Sequence, residues 1–118
     1  MTAGATHRLV THSGLEVAAN VEMAESSWQR FMGLMGRSEL PAGSGLCLRP
    51  CSSIHMFFMR FPLDVAFLAA DGRVLRAYHG LKPWRMSRIV FGAKCAIELP
   101  AGTLARAGVD TGSRMELI

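Results

Sequence analysis

Two cysteines and a histidine at four-residue intervals, Cys47, Cys51 and His55, form the pattern in this chain that looks most like a metal site. Thiolate and imidazole are ligands that zinc and copper favour. A structural zinc takes four ligands, however, and the nearest further candidates, His79 and Cys95, stand at no motif spacing. On a strand, positions four apart share a face yet lie about 13 Å from each other, so the chain must turn at Pro50 to close such a site. Buried cysteines acting as small apolar side chains are the plainer reading.

His55 also belongs to a second set, with Asp64 and Glu98. His55, Arg60 and Asp64 are the only ionisable groups in the apolar run 54–70, and Glu98 interrupts a second apolar stretch. Charges so placed must be paired, exposed at a rim, or functional. If His55, Asp64 and Glu98 converge on one pocket, they make a small acid–base enzyme. A structural role is the competing reading. A turn at Asp71-Gly72 sets Asp64 across a hairpin from Tyr78 if it has three residues, or from His79 if it has two. Glu98 needs backbone donors or an arginine, for which Arg30, Arg37 and Arg60 are candidates.

A third set, Lys82, Trp84 and Arg85, lies in an irregular stretch over 80–94. Tryptophan and arginine dominate interface hot spots, and long irregular segments are often functional, so these residues are read as a partner-binding loop. No nucleophile elbow, phosphate loop, dinucleotide fingerprint or zinc-protease motif is present, and Ser52 and Ser53 beside His55 are weak grounds for a triad. The expectation is therefore a non-catalytic binding or accessory module for a protein or small ligand, without a cofactor.

The elements that must position these residues are mostly strands. Segments 7–12 and 15–23 flank Ser13-Gly14, a two-residue hairpin signal, and the second alternates with period two, Leu15, Val17, Ala19, Val21 and Met23 facing one way. Trp28, Phe31, Met32 and Met35 then fall on one face of a helix over about 26–35, capped by Ser26 or Ser27 and ended by Gly36. That stripe is read as core packing. Pro62 divides the run 54–70 into two strands with a bend. Further strands are expected at 46–49, 73–79, 95–99 and 114–118, with a short helix near 103–107; on the strand at 95–99, Cys95, Ile97 and Leu99 share a face. The fold class is mostly β (α+β): one compact domain over 1–118, its antiparallel strands curled into a small barrel or sandwich covered by the main helix.

Half of the 118 residues are hydrophobic and the net charge is +4, carried by eleven arginines and two lysines. The cations are scattered singly, which argues against nucleic acid as a partner. No apolar run is long enough for a transmembrane helix. An odd cysteine count suits a reducing compartment, and no secretory signal is visible, so cytoplasmic placement is expected.

Four motifs in order then carry a family resemblance. They are Arg30-x-x-Gly33-Leu34-Met35-x-Arg37-x-x-Leu40, His55-x-Phe57-Phe58-Met59-x-Phe61-Pro62-Leu63-Asp64-Val65-x-Phe67, Pro83-Trp84, and Glu98-Leu99-Pro100-Ala101-Gly102. Together they resemble the DUF192 family of small bacterial and archaeal domains, from about residue 8 to the C-terminus. The resemblance implies a compact, mostly β domain with a helix carrying the Gly-Leu-Met segment, and brings no catalytic residues. Its polar motif positions, Arg30, Arg37, His55, Asp64 and Glu98, coincide with the candidates named from burial.

Overall fold

The computed structural model describes residues 6–118. Seven strands form one sheet: β1 (His7–Thr11), β2 (Glu16–Ala24), β3 (Ser44–Leu48), β4 (Leu63–Leu68), β5 (Val74–Leu81), β6 (Cys95–Pro100) and β7 (Met115–Leu117). Their order is β5-β4-β6-β3-β2-β1-β7. All neighbours are antiparallel except β2 and β3, the parallel pair that the segment carrying α1 (Ser27–Met32) connects. The sheet curls until its edges meet at one end, where Arg73 bridges Arg114 and Met115 N donates to Gly72 O. The fold is thus a curled, barrel-like sheet, and the sandwich alternative falls away.

β4 and β6 sit side by side in the middle of this sheet, and their side chains alternate between its two faces. Ala66, Leu68, Cys95, Ile97 and Leu99 pack on one face with Leu9, Val21 and Leu104 of α2 (Thr103–Ala107). Leu63, Val65, Phe67 and Ala96 pack on the other with Leu34, Ile54, Met56 and Met59. Glu98, between Ile97 and Leu99, therefore points towards the second face. The shared face expected for Cys95, Ile97 and Leu99 is the observed one.

Several expectations need correction. The first hairpin turns through three residues, His12 to Gly14, with Thr11 N donating to Leu15 O and Gly14 at φ +93°. Register shifts in β1–β2 then change the phase of β2, so Ala18, Val21 and Ala24 are its buried positions and Leu15 is exposed. The helix ends at Met32, with Gly33 rather than Gly36 as its C-cap, and it buries none of its residues. Trp28 and Phe31 are exposed, so the stripe read as core is a surface ridge. Its helical spacing was real, but a single short helix offers the same period whether its apolar face meets protein or not.

The first half of the run 54–70 is not a strand of the sheet. Residues 52–56 instead run antiparallel to 84–90 as a flap: Trp84 N donates to Met56 O, Met56 N to Arg85 O, Ser87 N to Ile54 O and Val90 N to Ser52 O. Only His55 and Met86 form a β-bridge there. The hairpin after β4 also carries register shifts, and Asp64 pairs with neither Tyr78 nor His79 through its side chain.

Candidate functional site

Glu98 is the residue from which the site is built. It lies on β6 with Leu46 of β3 and Val65 of β4 as its cross-strand neighbours, in the middle of the sheet. It is 5% exposed, and its Oε1 has no hydrogen-bond partner. Among the described residues no arginine forms an ion pair with it, so Arg30, Arg37 and Arg60 do not meet the role expected of them. Burial pushes its carboxyl up to about 8, against the pull of the Arg37 guanidinium. At neutral pH the group is an uncharged acid, because an ion without a partner in an apolar setting gives up its charge first.

Above Glu98 opens a cleft of about 330 Å³ between α1, the turn that follows it and the base of the flap. Leu34, Leu48, Ile54 and Met59 give it apolar walls, and Arg30, Cys51 and His55 supply polar groups. Gly33 keeps the floor open: a Cβ there would stand 3.7 Å from Glu98 Oε1, and its φ of +47° disfavours a side chain in any case. Cys51 Sγ donates to Ser53 O at 3.0 Å, and burial holds the thiol above its ordinary range. It is protonated and occupied, which is not how a thiolate nucleophile is prepared.

His55 stands at the rim. Phe57 N donates to its Nδ1 at 3.2 Å, which leaves the proton of the neutral ring on Nε2. Its ring lies between Phe31, at 5.9 Å between centroids, and Phe57, at 5.1 Å. The series continues from Trp28 to Phe31 at 6.1 Å, Phe57 to Trp84 at 6.0 Å and Trp84 to Phe58 at 4.9 Å. Six rings thus form one ridge, of which Phe31 and His55 line the cleft. Phe58 and Trp84 both hold left-handed backbone, φ +64° and +67°, where a bulky residue costs about 1–3 kcal/mol.

The residues singled out from sequence separate accordingly. Glu98 and His55 share the cleft with Arg30. Asp64 does not: it is fully buried, and its carboxylate accepts from Gly80 N at 2.9 Å, Gly102 N at 3.1 Å and Leu104 N at 2.9 Å. Those three donors bind β5 and the start of α2 to β4, which is an architectural role. His79 pairs instead with Asp110, at 3.3 Å.

The set Cys47, Cys51 and His55 is not assembled either. Cys47 packs into the core on the opposite face of the sheet with Cys95, while Cys51 lines the cleft. No group of three His, Cys, Asp or Glu side chains among the described residues could hold a metal ion. Lys82, Trp84 and Arg85 are all exposed at the flap's turn, and Trp84 belongs to the ridge. Sequence reasoning missed the ridge as a unit. Its signal was the aromatic content of three separate segments, and nothing in one dimension brings them together.

Residues 8–117 match the model of DUF192, described as Uncharacterized ACR, COG1430. A UPF0127 protein of Pyrococcus furiosus is 34% identical over 110 residues, which cover 87% of this chain and 90% of that one. A UPF0127 protein of Thermococcus sibiricus is 32% identical over 100 residues, but this chain spans only 64% of its length. Among solved structures, a Sinorhizobium meliloti protein proposed as a transcription regulator superposes with a TM-score of 0.82 at 30% identity, covering 99% of this chain and 97% of that one. A protein of unknown function from Novosphingobium aromaticivorans gives the same TM-score at 25% identity, covering 94% and 83%. The family match over residues 8–117 takes in all seven strands, α1 and the flap that together build the cleft, and the chain belongs to the DUF192 family.

Proposed function

We propose that this domain is a non-catalytic binding module whose cleft takes a small apolar ligand with a hydrogen-bond-accepting head, a carboxylate or a carbonyl. The observation that carries this reading is the buried, unpartnered Glu98 carboxyl on the floor of an apolar cleft. A neutral acid there lacks a partner and offers an O–H to one. Arg30 in the cleft wall and Arg37 close by favour an anionic or electron-rich head over a cation. Asp64 is fully engaged with backbone donors and Cys51 with Ser53, which favours binding over catalysis.

Hexanoate is a suitable probe, followed by amide NMR shifts of the labelled protein. Shifts are expected at Gly33 and Ser53–His55, with affinity constant between about pH 6, where hexanoate is ionised, and about pH 8, and falling about tenfold per pH unit above that as Glu98 ionises. Glu98→Gln keeps a neutral donor, so it should retain binding and lose that pH dependence. Amides that do not respond to hexanoate, or affinity that grows above pH 8, would sink the proposal. A second reading, proton transfer on a bound ligand by His55 and Glu98, draws on their shared cleft. Deuterium exchange into a bound carbonyl compound, lost in both His55→Ala and Glu98→Gln, is the result that would favour it.

A further inference from the structure

We infer that the face formed by α1 and the flap docks on the surface of an anionic lipid bilayer. Nine large hydrophobic side chains are exposed among the described residues, and seven of them belong to the segments that build this face: Trp28, Phe31, Phe58, Trp84, Met86, Ile89 and Phe91. Phe91 is 88% exposed and Trp28 68%. Such a concentration on one small domain is a mark of an interaction surface rather than of ordinary scatter.

Charge identifies the partner. The segments that build this face, 28–37, 52–60 and 81–94, hold seven of the thirteen Lys and Arg residues and none of the nine Asp and Glu. The cations are Arg30, Arg37, Arg60, Lys82, Arg85 and Arg88, with Lys94 at the end of its segment lying instead beside Asp71 and Glu116. The remainder of the chain has an excess of acid, so the protein is strongly polarised despite its modest net charge. Arginine and lysine beside exposed tryptophan, phenylalanine and aliphatic side chains match an anionic headgroup layer over an acyl boundary.

The geometry favours lipid over single-stranded nucleic acid, which also attracts cations and aromatics. Neighbouring rings of the ridge are inclined to one another at 28–57°, so they present no run of parallel faces on which successive bases could stack. Met86 and Ile89 have no π-face to offer a base, whereas both gain by entering acyl chains. The strained backbone at Phe58 and Trp84 holds two rings outward at the turn of the flap, where a shallow insertion needs them. This inference does not depend on the ligand proposed for the cleft.

The test uses vesicles of phosphatidylcholine with and without about a third phosphatidylglycerol. The only two tryptophans, Trp28 and Trp84, both lie on the proposed face, so intrinsic fluorescence reports on it directly. Co-sedimentation and a blue shift are expected with the anionic vesicles, and binding about tenfold weaker when salt is raised from about 0.1 M to about 0.5 M. Arg85→Glu with Arg88→Glu should weaken binding more than tenfold, at about a factor of five per charge removed. Trp84→Ser should reduce insertion while leaving the salt dependence in place. Because Arg85 and Arg88 are exposed, the charge variant tests the face even if Trp84→Ser perturbs the flap. No binding to either vesicle, equal binding to both, or binding to an oligo-dT strand without binding to vesicles would each overturn the inference.

Discussion

Glu98 concentrates the chemistry of this protein in one carboxyl group, and its energetics are as informative as its position. Its folded pKa, about 8, lies above the ordinary value of 4.5. Below about pH 4.5 the group is protonated in both folded and unfolded chains and is neutral in effect. As pH rises, the unfolded chain releases the proton and the folded chain does not, so stability falls until about pH 8 and then levels. Glu98→Gln removes that penalty. Its melting temperature should exceed that of the parent at pH 8, by the equivalent of about 4 kcal/mol, and match it at pH 4; calorimetry at the two pH values checks this. A residue that lowers stability at neutral pH and has an unmet hydrogen bond is the kind that function retains. Asp64, equally buried, shows the contrast: three backbone donors satisfy it, and its role is to hold β4, β5 and α2 together.

Two elements form the site without belonging to the core. The helix α1 buries no residue, so its stability rests on its caps. Ser26 Oγ accepts from Gln29 N, and Gln29 Oε1 accepts in return from Ser26 N, a complete capping box. Ser26→Ala should cost about 1 kcal/mol locally. Hydrogen exchange at the amides of Arg30 and Gly33 should accelerate about fivefold while the global unfolding midpoint stays put, since opening α1 does not require opening the sheet. The flap is better secured. Four backbone hydrogen bonds join its two sides, and Ser87 Oγ accepts from Ile54 N where both are buried. A helix held by its caps alone, against a firmer flap, suits a cleft that must admit something. No helix among the described residues is long and apolar enough to cross a membrane, so any lipid contact made with these elements is peripheral.

At the scale of the molecule, the seam between the sheet's edges sets the curvature on which the cleft depends. Gly72 lies at this seam with φ +87°, and a Cβ there would fall 2.2 Å from Met115 O, a backbone atom that cannot give way. Gly72→Ala combines left-handed strain with displacement of β7 from its bridge. It should destabilise the domain by about 2–4 kcal/mol, seen as a lower denaturant midpoint. Curvature also explains why β6 is buried on both faces: the curl folds one core inside it, and α1's following turn and the flap cover the outside.

The sequence by itself determined the local events. Period-two alternation and turn residues placed all seven strands to within a few positions, the Ser26-Ser27 pair announced the helix start, with Ser26 proving to be the cap, and Thr103–Ala107 formed as expected because Gly102 and Gly108 bound it. The motif positions also pointed to Glu98 and His55. What only the tertiary structure decided was which side of each apolar pattern meets protein. Register shifts in β1–β2 brought Ala18 into the core beside Val17, Val21 and Met23 and left Leu15 exposed; the stripe of Trp28 and Phe31 kept its helical period yet faced outward; half of the run 54–70 left the sheet to form a flap. Pairing of Asp64 with backbone groups from residues 80, 102 and 104 was equally invisible, because those donors lie 16 to 40 positions away. Period and capping act within a turn or a strand, so they can be read along the chain. Burial and charge neutralisation are decided by neighbours distant in sequence, and here those neighbours leave one acid unpaired beneath a ridge of exposed rings.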